Sequence, residues 1–109
     1  MNLHLPNAVQ TYFAVSNGAD ISRLAACFCT HASVTDENRT HQGIEAIEAW
    51  QQDARQAFTY RVEPLTATQH DDSLSVTARL VGNFPGSPVM LNHRFLLQDG
   101  QIRMLEIAP

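Results

Sequence analysis

The chain has 109 residues, of which 44% are hydrophobic and 17% are charged, and its formal net charge is −4 at pH 7. This length fits one domain, residues 1–109, around a single core, and the composition excludes a disordered chain. The negative charge argues against a nucleic-acid partner, because the phosphate backbone attracts basic surfaces. All seven basic residues are arginine, which excludes a Schiff-base lysine and a phosphate-loop lysine.

The sequence also bears on the cellular location of the protein and on the state of its cysteines. No apolar run approaches the roughly 18 residues of a membrane span, and the first residues lack the basic and apolar regions of a signal peptide. We therefore expect a cytoplasmic protein with no membrane partner. Cys27 and Cys29 are too close for an unstrained disulfide and are interpreted as reduced thiols. A C-x-C-x-H metal site with His31 lacks a fourth ligand, so we predict neither a metal nor a cofactor.

Two helices are predicted before the first strand. The first begins at Pro6 and is stopped by Asn17-Gly18. The second is capped by Asp20 and is expected to end near Cys29-Thr30. Apolar residues recur at helical spacing in both, at Val9, Tyr12 and Phe13, and at Ile21, Leu24, Ala25 and Phe28.

A short strand and a third helix follow. The strand spans Ala32–Asp36, and the segment 38–42 is either a turn or a brief returning strand. The third helix begins near Gly43 or Ile44, and acidic residues in its first turns favour that start. Its apolar stripe is Ile47, Trp50, Ala54 and Phe58.

The second half of the chain changes to the twofold alternation of strands. Strands are predicted over Phe58–Glu63, Leu74–Val81, Val89–Leu97 and Ile102–Ile107, and Pro64 indicates an edge or a bulge. Three helices followed by a strand meander predict an α+β fold, with the helices packed on one face of a curved antiparallel sheet.

The order of these elements resembles the nuclear transport factor 2-like superfamily, which includes SnoaL-like polyketide cyclases and ketosteroid isomerase. The resemblance covers nearly the whole chain. It rests on local patterns in their order: Val9-Gln10-x-Tyr12-Phe13, Gly18-x-Asp20, Val34-x-Asp36, Gly43-Ile44-x-Ala46-Ile47, Asn92-His93-x-Phe95 and Asp99-Gly100-x-Ile102. The resemblance implies a cone-shaped domain that encloses a mostly apolar pocket for a small apolar molecule. It also implies a homodimer formed through the outer face of the sheet.

The same resemblance assigns roles to three residues. Asp36 matches the general base of ketosteroid isomerase, Tyr12 matches the tyrosine of its oxyanion hole, and Asn92 matches its protonated aspartic acid. A carboxylate that faces an apolar cavity loses solvation and becomes a better base. A phenol in the same cavity can donate a hydrogen bond to a developing enolate. An amide at Asn92 donates more weakly than a buried acid, so the strong oxyanion hole is not reproduced.

Structural interpretations of these residues stay open at this point. Asp36 can simply begin a turn, and Tyr12 can be a core aromatic residue with a satisfied hydroxyl group. Asn92, in an otherwise apolar strand, either lines the pocket or is structural, because a buried amide needs partners. Trp50 belongs to the core or to the pocket wall.

Three further residues are placed by their position in the pattern. Arg94 shares a strand face with Asn92 and is either a buried cation that needs an anion or, as we prefer, a residue at the pocket mouth. His41 precedes Gly43 and is expected at the pocket rim. His93 alternates away from Asn92 and is therefore expected at the dimer face. Asn92, Trp50, Arg94 and His41 are the predicted substrate-binding residues.

Two functional hypotheses follow. In the first, the protein is a SnoaL-like isomerase or cyclase in which Asp36 removes a proton next to a ligand carbonyl group. In the second, it is a non-catalytic domain for ligand binding or dimerisation, since Asn92 replaces an acid and no second catalytic group is apparent.

Overall fold

The computed structural model describes residues 3–109 and contains three α-helices and six strands in this part of the chain. Two helices come first, with a single 3₁₀ turn (Ile21–Arg23) leading into the second. The third helix follows the first two strands, and the last four strands form a meander. The elements are α1 (Asn7–Ser16), α2 (Leu24–Cys27), β1 (Phe28–Asp36), β2 (Arg39–Gln42), α3 (Ile44–Ala57), β3 (Tyr60–His70), β4 (Ser73–Gly82), β5 (Val89–Gln98) and β6 (Gln101–Ala108).

The six strands form one curved sheet in the order β2-β1-β6-β5-β4-β3. The helix α3 carries the chain from β2 to β3 at the opposite edge, and the meander then returns strand by strand until β6 lies beside β1. The β1–β6 pair is parallel and the other four pairs are antiparallel. The predicted α+β cone fold is confirmed. The sequence prediction gave a purely antiparallel sheet, whereas the sheet is mixed because β1 and β6 are parallel.

The core lies between the helices and the inner face of this sheet. Helix α1 contributes Val9, Tyr12 and Phe13, which are at most 4% exposed. The rings of Tyr12 and Phe13 make edge contacts with Phe95 of β5 at centroid distances of 5.7 and 5.9 Å. This packing fixes α1 over the centre of the sheet, because aromatic side chains bury large apolar areas.

Two boundaries differ from the sequence prediction. The second helix ends at Cys27, because Phe28 adopts extended angles (φ −105°, ψ 146°) and begins β1 with its side chain buried. The third helix ends at Ala57, so Phe58 is not part of its buried stripe. Phe58 is extended and 41% exposed, and it contacts Phe84 at a centroid distance of 6.1 Å. Both residues are apolar enough to fit a helix stripe, which explains the errors.

Gly43 joins β2 to α3 as expected. Its φ of 89° and ψ of 159° lie in a region that other residues rarely adopt. Its backbone N–H donates to the carbonyl oxygen of Ala32 over 2.8 Å, which holds the helix start against β1. The segment before it is the brief returning strand, and it pairs with β1 so that Arg39 lies opposite Asp36. The β1–β2 hairpin is thereby fixed next to the first turns of α3.

The far edge of the sheet is tied to the helices by two side chains. Asn17 accepts from the backbone N–H of Val62 over 2.7 Å and donates to its carbonyl oxygen over 2.9 Å. Arg55 of α3 donates to the carbonyl oxygens of Gly18 and Ala19. These bonds connect the end of α1 with β3 and α3. The predicted irregularity at Pro64 is also confirmed, because β3 is an edge strand whose register shifts just after it.

Three smaller findings concern the cysteines, the possible metal ligands and the helix lengths. Cys27 is buried and Cys29 is half-buried, and both are free thiols. Within residues 3–109, no cluster of three or more histidine, cysteine or acidic side chains could hold a metal ion. None of the helices in that range is long and apolar enough to cross a membrane.

Candidate functional site

A cavity of about 930 Å³ lies between α1, α3 and the inner face of the sheet. Its inner wall is built from buried residues of α1, α3 and β5, and its mouth is formed by exposed residues such as Phe58, Pro85 and Pro109. Its polar and aromatic lining residues are Tyr12, Ser16, Asp36, Glu37, Asn38, Arg39, His41, Trp50, Gln51, Asp53, Phe58, Tyr60, Phe84 and His93. A volume of this size is typical of small-molecule sites.

Asp36 is the last residue of β1 and lies in the wall of this cavity. It is half-buried, and its Oδ2 accepts a hydrogen bond from the indole Nε1 of Trp50 over 3.2 Å. Burial raises the pKa of the Asp36 carboxyl group, the Trp50 hydrogen bond opposes that shift, and the neighbouring charge of Glu37 adds to it. The carboxylate is therefore a stronger base than a solvated aspartate.

Asp36 also begins a turn. The interpretation as a cavity residue and the interpretation as a turn residue therefore each describe part of its environment. Glu37 and Asn38 have φ values of 52° and 63°, which form the tight connection to β2. The indole N–H of Trp50 and the backbone N–H of Glu37 in this turn both lower the pKa of the Asp36 carboxyl group. The hydrogen bond from Trp50 also ties the carboxylate to α3.

Tyr12 is both a core residue and part of the cavity wall. It is 3% exposed, and its ring lies parallel to that of Trp50 with a centroid distance of 6.5 Å and an interplanar angle of 7°. Burial raises the pKa of Tyr12 well above its ordinary value, whereas the nearby Ser16 hydroxyl group opposes the shift. The phenol therefore keeps its proton at neutral pH and can only act as a neutral hydrogen-bonding group.

His41 and Trp50 form the wall next to Asp36. His41 is half-buried on β2, and its ring lies 5.9 Å from that of Trp50 at an angle of 32°. Both residues line the cavity, and the charge of His41 lowers the pKa of Asp36. Four sequence-predicted residues, Tyr12, Asp36, His41 and Trp50, are thus brought together around one cavity.

The remaining two predicted residues lie on the opposite face of the sheet. Asn92 is exposed and does not line the cavity, which contradicts its predicted position. Arg94 is neither buried nor at the pocket mouth, because it lies on the outer face and forms an ion pair with Glu106 at 2.6 Å. The inward residues of β5 are Leu91, His93 and Phe95, so alternation excludes their neighbours from the cavity.

His93 therefore takes the position that was predicted for Asn92. It is 3% exposed and lines the cavity, whereas the sequence prediction placed it at the dimer face. The motif Asn92-His93 identified the correct strand but not the correct residue, because a step of one residue reverses the face. The burial pattern of apolar Leu91 and Phe95 on either side of His93 was the signal that could have located it.

Tyr60 is a second cavity residue that the sequence prediction missed. It is the first residue of β3, half-buried, and directly opposite Gly82 of β4. Burial raises the pKa of the Tyr60 phenol, and the charge of Asp36 adds to this shift, whereas that of Arg55 opposes it. Tyr60 is two residues from the buried Val62 on β3, so the alternation of the strand puts both side chains on the face toward the helices. This alternation could have indicated the position of Tyr60.

No protein-family profile and no curated protein matches the sequence. Among solved structures, a candidate polyketide cyclase from Sinorhizobium meliloti is 41% identical, covers 95% of both chains and superposes with a TM-score of 0.91. The chain belongs to the nuclear transport factor 2-like superfamily. The expected relationship to its SnoaL-like and ketosteroid isomerase-like members is confirmed.

More distant solved structures have the same fold as this chain at lower identity. A ketosteroid isomerase-like protein from Catenulispora acidiphila, solved in complex with trimethylamine, is 18% identical over 97% of this chain and 87% of its own, with a TM-score of 0.84. A SnoaL-like candidate isomerase from Agrobacterium tumefaciens is 23% identical over 92% of both chains, with a TM-score of 0.76. The cone architecture thus persists at low identity.

Proposed function

We propose that this SnoaL-like protein binds an apolar, carbonyl-containing small molecule in the cavity and acts as an isomerase or cyclase with Asp36 as general base. The observation that carries the proposal is the environment of the Asp36 carboxylate. It lies at the wall of a cavity lined by aromatic side chains, holds one side-chain hydrogen bond to Trp50, and has a pKa that burial raises. Such a carboxylate is suited to accept a proton near neutral pH.

The proposed step is the removal of a proton from the carbon atom next to the ligand carbonyl group. The C–H bond breaks, a new O–H bond forms on the Asp36 carboxylate, and the electron pair moves to the carbonyl oxygen as an enolate. Return of the proton to another carbon atom gives an isomer. Attack of the enolate carbon on a second carbonyl group forms a C–C bond and closes a ring, the π bond of that carbonyl group breaks, and its oxygen atom takes the proton back from Asp36. Neither outcome requires an oxidant or a reductant.

Neutral donors near Asp36 would stabilise the enolate oxygen. Tyr12 and Tyr60 line the same cavity, and burial raises the pKa of both phenols. A neutral phenol donates a hydrogen bond without a competing charge, and such donors are effective where water is excluded. Trp50 keeps Asp36 in place through its indole N–H. Asn92 has no part in this proposal, because it is on the outer face.

Hydrogen exchange on enolisable cyclic ketones tests the proposed step. The protein would be mixed with a panel of such ketones in D₂O, and the loss of the proton next to the carbonyl group would be followed by NMR. Asp36→Asn should lower the rate by at least about 100-fold, the smallest contribution typical of a general base. Asp53→Asn is the matched control, because Asp53 is exposed at the cavity rim. Equal rates for the wild type and Asp36→Asn would overturn the proposal.

A second candidate function is a non-catalytic domain for ligand binding or dimerisation. The observation in its favour is the outer face of the sheet, where Val81 is 40% exposed and Met90 is 48% exposed. Exposed apolar side chains on a sheet face favour association with a second copy of the chain. Met90→Arg should then convert a dimer into a monomer in sedimentation experiments. A dimeric wild type that shows no ketone exchange would favour this second function over the first.

A further inference from the structure

His93 is a buried polar group of the cavity wall that the proposed reaction does not use. Its side chain is 3% exposed, and it is surrounded by the rings of Tyr12, Phe13 and Phe95 at centroid distances of 6.1, 5.3 and 6.2 Å. A phenylalanine would fill the same space with apolar contacts alone. The imidazole ring is therefore not explained by packing.

One nitrogen atom of this imidazole lacks a hydrogen-bond partner among the described residues. Its Nδ1 is buried, and no group in residues 3–109 lies in hydrogen-bonding geometry with it. A buried polar atom without a partner is costly, and such atoms are rare in native structures. Burial lowers the pKa of His93 to about 4, more strongly than the nearby carbonyl groups of Leu91 and Val76 raise it. At neutral pH the ring is therefore uncharged, with one donor and one acceptor nitrogen.

The sheet register relates His93 to Asp36. Ile107 of β6 lies directly opposite His93 on one side and directly opposite Asp36 on the other. The three residues thus form one row across neighbouring strands, and all three line the cavity. Two strand spacings separate the ends of the row, about 10 Å between backbones. An apolar ligand lying over Ile107 would have the Asp36 carboxylate at one end and the His93 imidazole at the other.

We propose that the imidazole of His93 forms a hydrogen bond with an oxygen atom of the ligand, at the end of the cavity away from Asp36. This inference rests on the proposed function, because it assumes that the cavity holds a small apolar molecule. It deepens that function by naming the ligand class. The ligand has an apolar body, with the reacting carbonyl group near Asp36 and a second oxygen-bearing group near His93.

The inference is tested with a pair of probes that differ in one oxygen atom. 2-Naphthol carries a hydroxyl group on a flat apolar body, whereas 2-methylnaphthalene has nearly the same shape and no oxygen. Both would be titrated by fluorescence and NMR into the wild type, His93→Phe and His93→Gln. We expect His93→Phe to bind 2-naphthol about fivefold more weakly, the effect of one net hydrogen bond, and to bind 2-methylnaphthalene as well as the wild type. His93→Gln should retain most of the preference for 2-naphthol, because its amide group both donates and accepts.

A measurement on the wild type keeps the test independent of variant folding. The ring ¹⁵N resonances of His93 should shift when 2-naphthol is added and stay in place when 2-methylnaphthalene is added. Equal shifts with both probes, or equal 2-naphthol affinity in the wild type and His93→Phe, would overturn the inference and leave the role of Asp36 intact. Failure of both probes to bind the wild type would overturn the inference together with the proposed ligand pocket. The ketone exchange rate of Asp36→Asn is a separate measurement, and its outcome concerns the proposed reaction alone.

Discussion

The substitution His93→Phe should change how the stability of the protein depends on pH. In the folded protein, burial lowers the pKa of His93 from 6.5 to about 4. Below pH 6.5 the unfolded chain therefore binds a proton that the folded chain does not yet bind. Acidification favours the unfolded state over the whole interval from pH 6.5 to pH 4. Above pH 6.5 both states hold a neutral imidazole, and this contribution is constant.

The size of the effect follows from the same pKa difference. At ~1.4 kcal/mol per pH unit, the wild type should lose about 3 kcal/mol between pH 7 and pH 4 through His93. Phenylalanine does not titrate and fits among the same aromatic rings, so the variant should not lose this amount. Tyr12, the ionisable residue packed against His93, keeps its proton throughout because burial raises its pKa. A loss of 3 kcal/mol is a large part of the ~5–15 kcal/mol that stabilises a typical domain.

The assay is urea unfolding followed by the fluorescence of Trp50, the single tryptophan of the chain. The free energy of unfolding would be measured at pH 7, 5.5 and 4.5 for the wild type, His93→Phe and the control His70→Gln, which removes an exposed histidine. At pH 4.5 the variant should have gained about 2 to 3 kcal/mol relative to the wild type, compared with their difference at pH 7. A difference that is the same at every pH would refute the reasoning, because His93 would then titrate alike in both states.

Three further substitutions test other parts of the structure by urea unfolding. Asp36→Asn should leave the free energy of unfolding at pH 7 unchanged or higher. The pKa of Asp36 is raised in the folded state, so folding disfavours its charged form and wild-type stability falls as pH rises through that pKa. A clear loss of stability in the variant would contradict this. Gly82→Ala should cost about 2 to 3 kcal/mol, because the added Cβ collides with the carbonyl oxygen of Thr59, and a neutral effect would show that this approach is not tight. Asn17→Ala should cost about 2 kcal/mol, since it leaves both backbone groups of Val62 without their partner, and a loss below about 0.5 kcal/mol would exclude a role for Asn17 in holding β3.

Much of the fold could be predicted because the local signals agree with the tertiary structure. Asn17-Gly18, Gly43 and Asp99-Gly100 each stand where the chain turns, and the glycines adopt positive φ values there. The alternation in the last strands matches their burial. The parallel pairing of β1 with β6 was not predictable in this way, because it depends on how the meander closes back on β1 and not on any local pattern.

The site was predicted only in part, for reasons that differ between residues. Asp36 and Tyr12 are selected through the resemblance to ketosteroid isomerase motifs, and both line the cavity. Asn92 was selected over His93 on β5, although they alternate and only one of them can face the cavity. Tyr60 was missed because its relation to Asp36 crosses the sheet from one side to the other. Such a relation is visible only when the strands are in register.

The direct test of the central claim is the titration of the Asp36 carboxyl group by NMR. Spectra of ¹³C-labelled wild type would be recorded between pH 2 and pH 8, and Asp36→Asn would assign the signal. The account predicts that Asp36 titrates above the ordinary value of 3.8, because burial in the cavity wall outweighs the hydrogen bond from Trp50. A pKa at or below 3.8 would contradict the claim that this carboxylate is held in the cavity as a base.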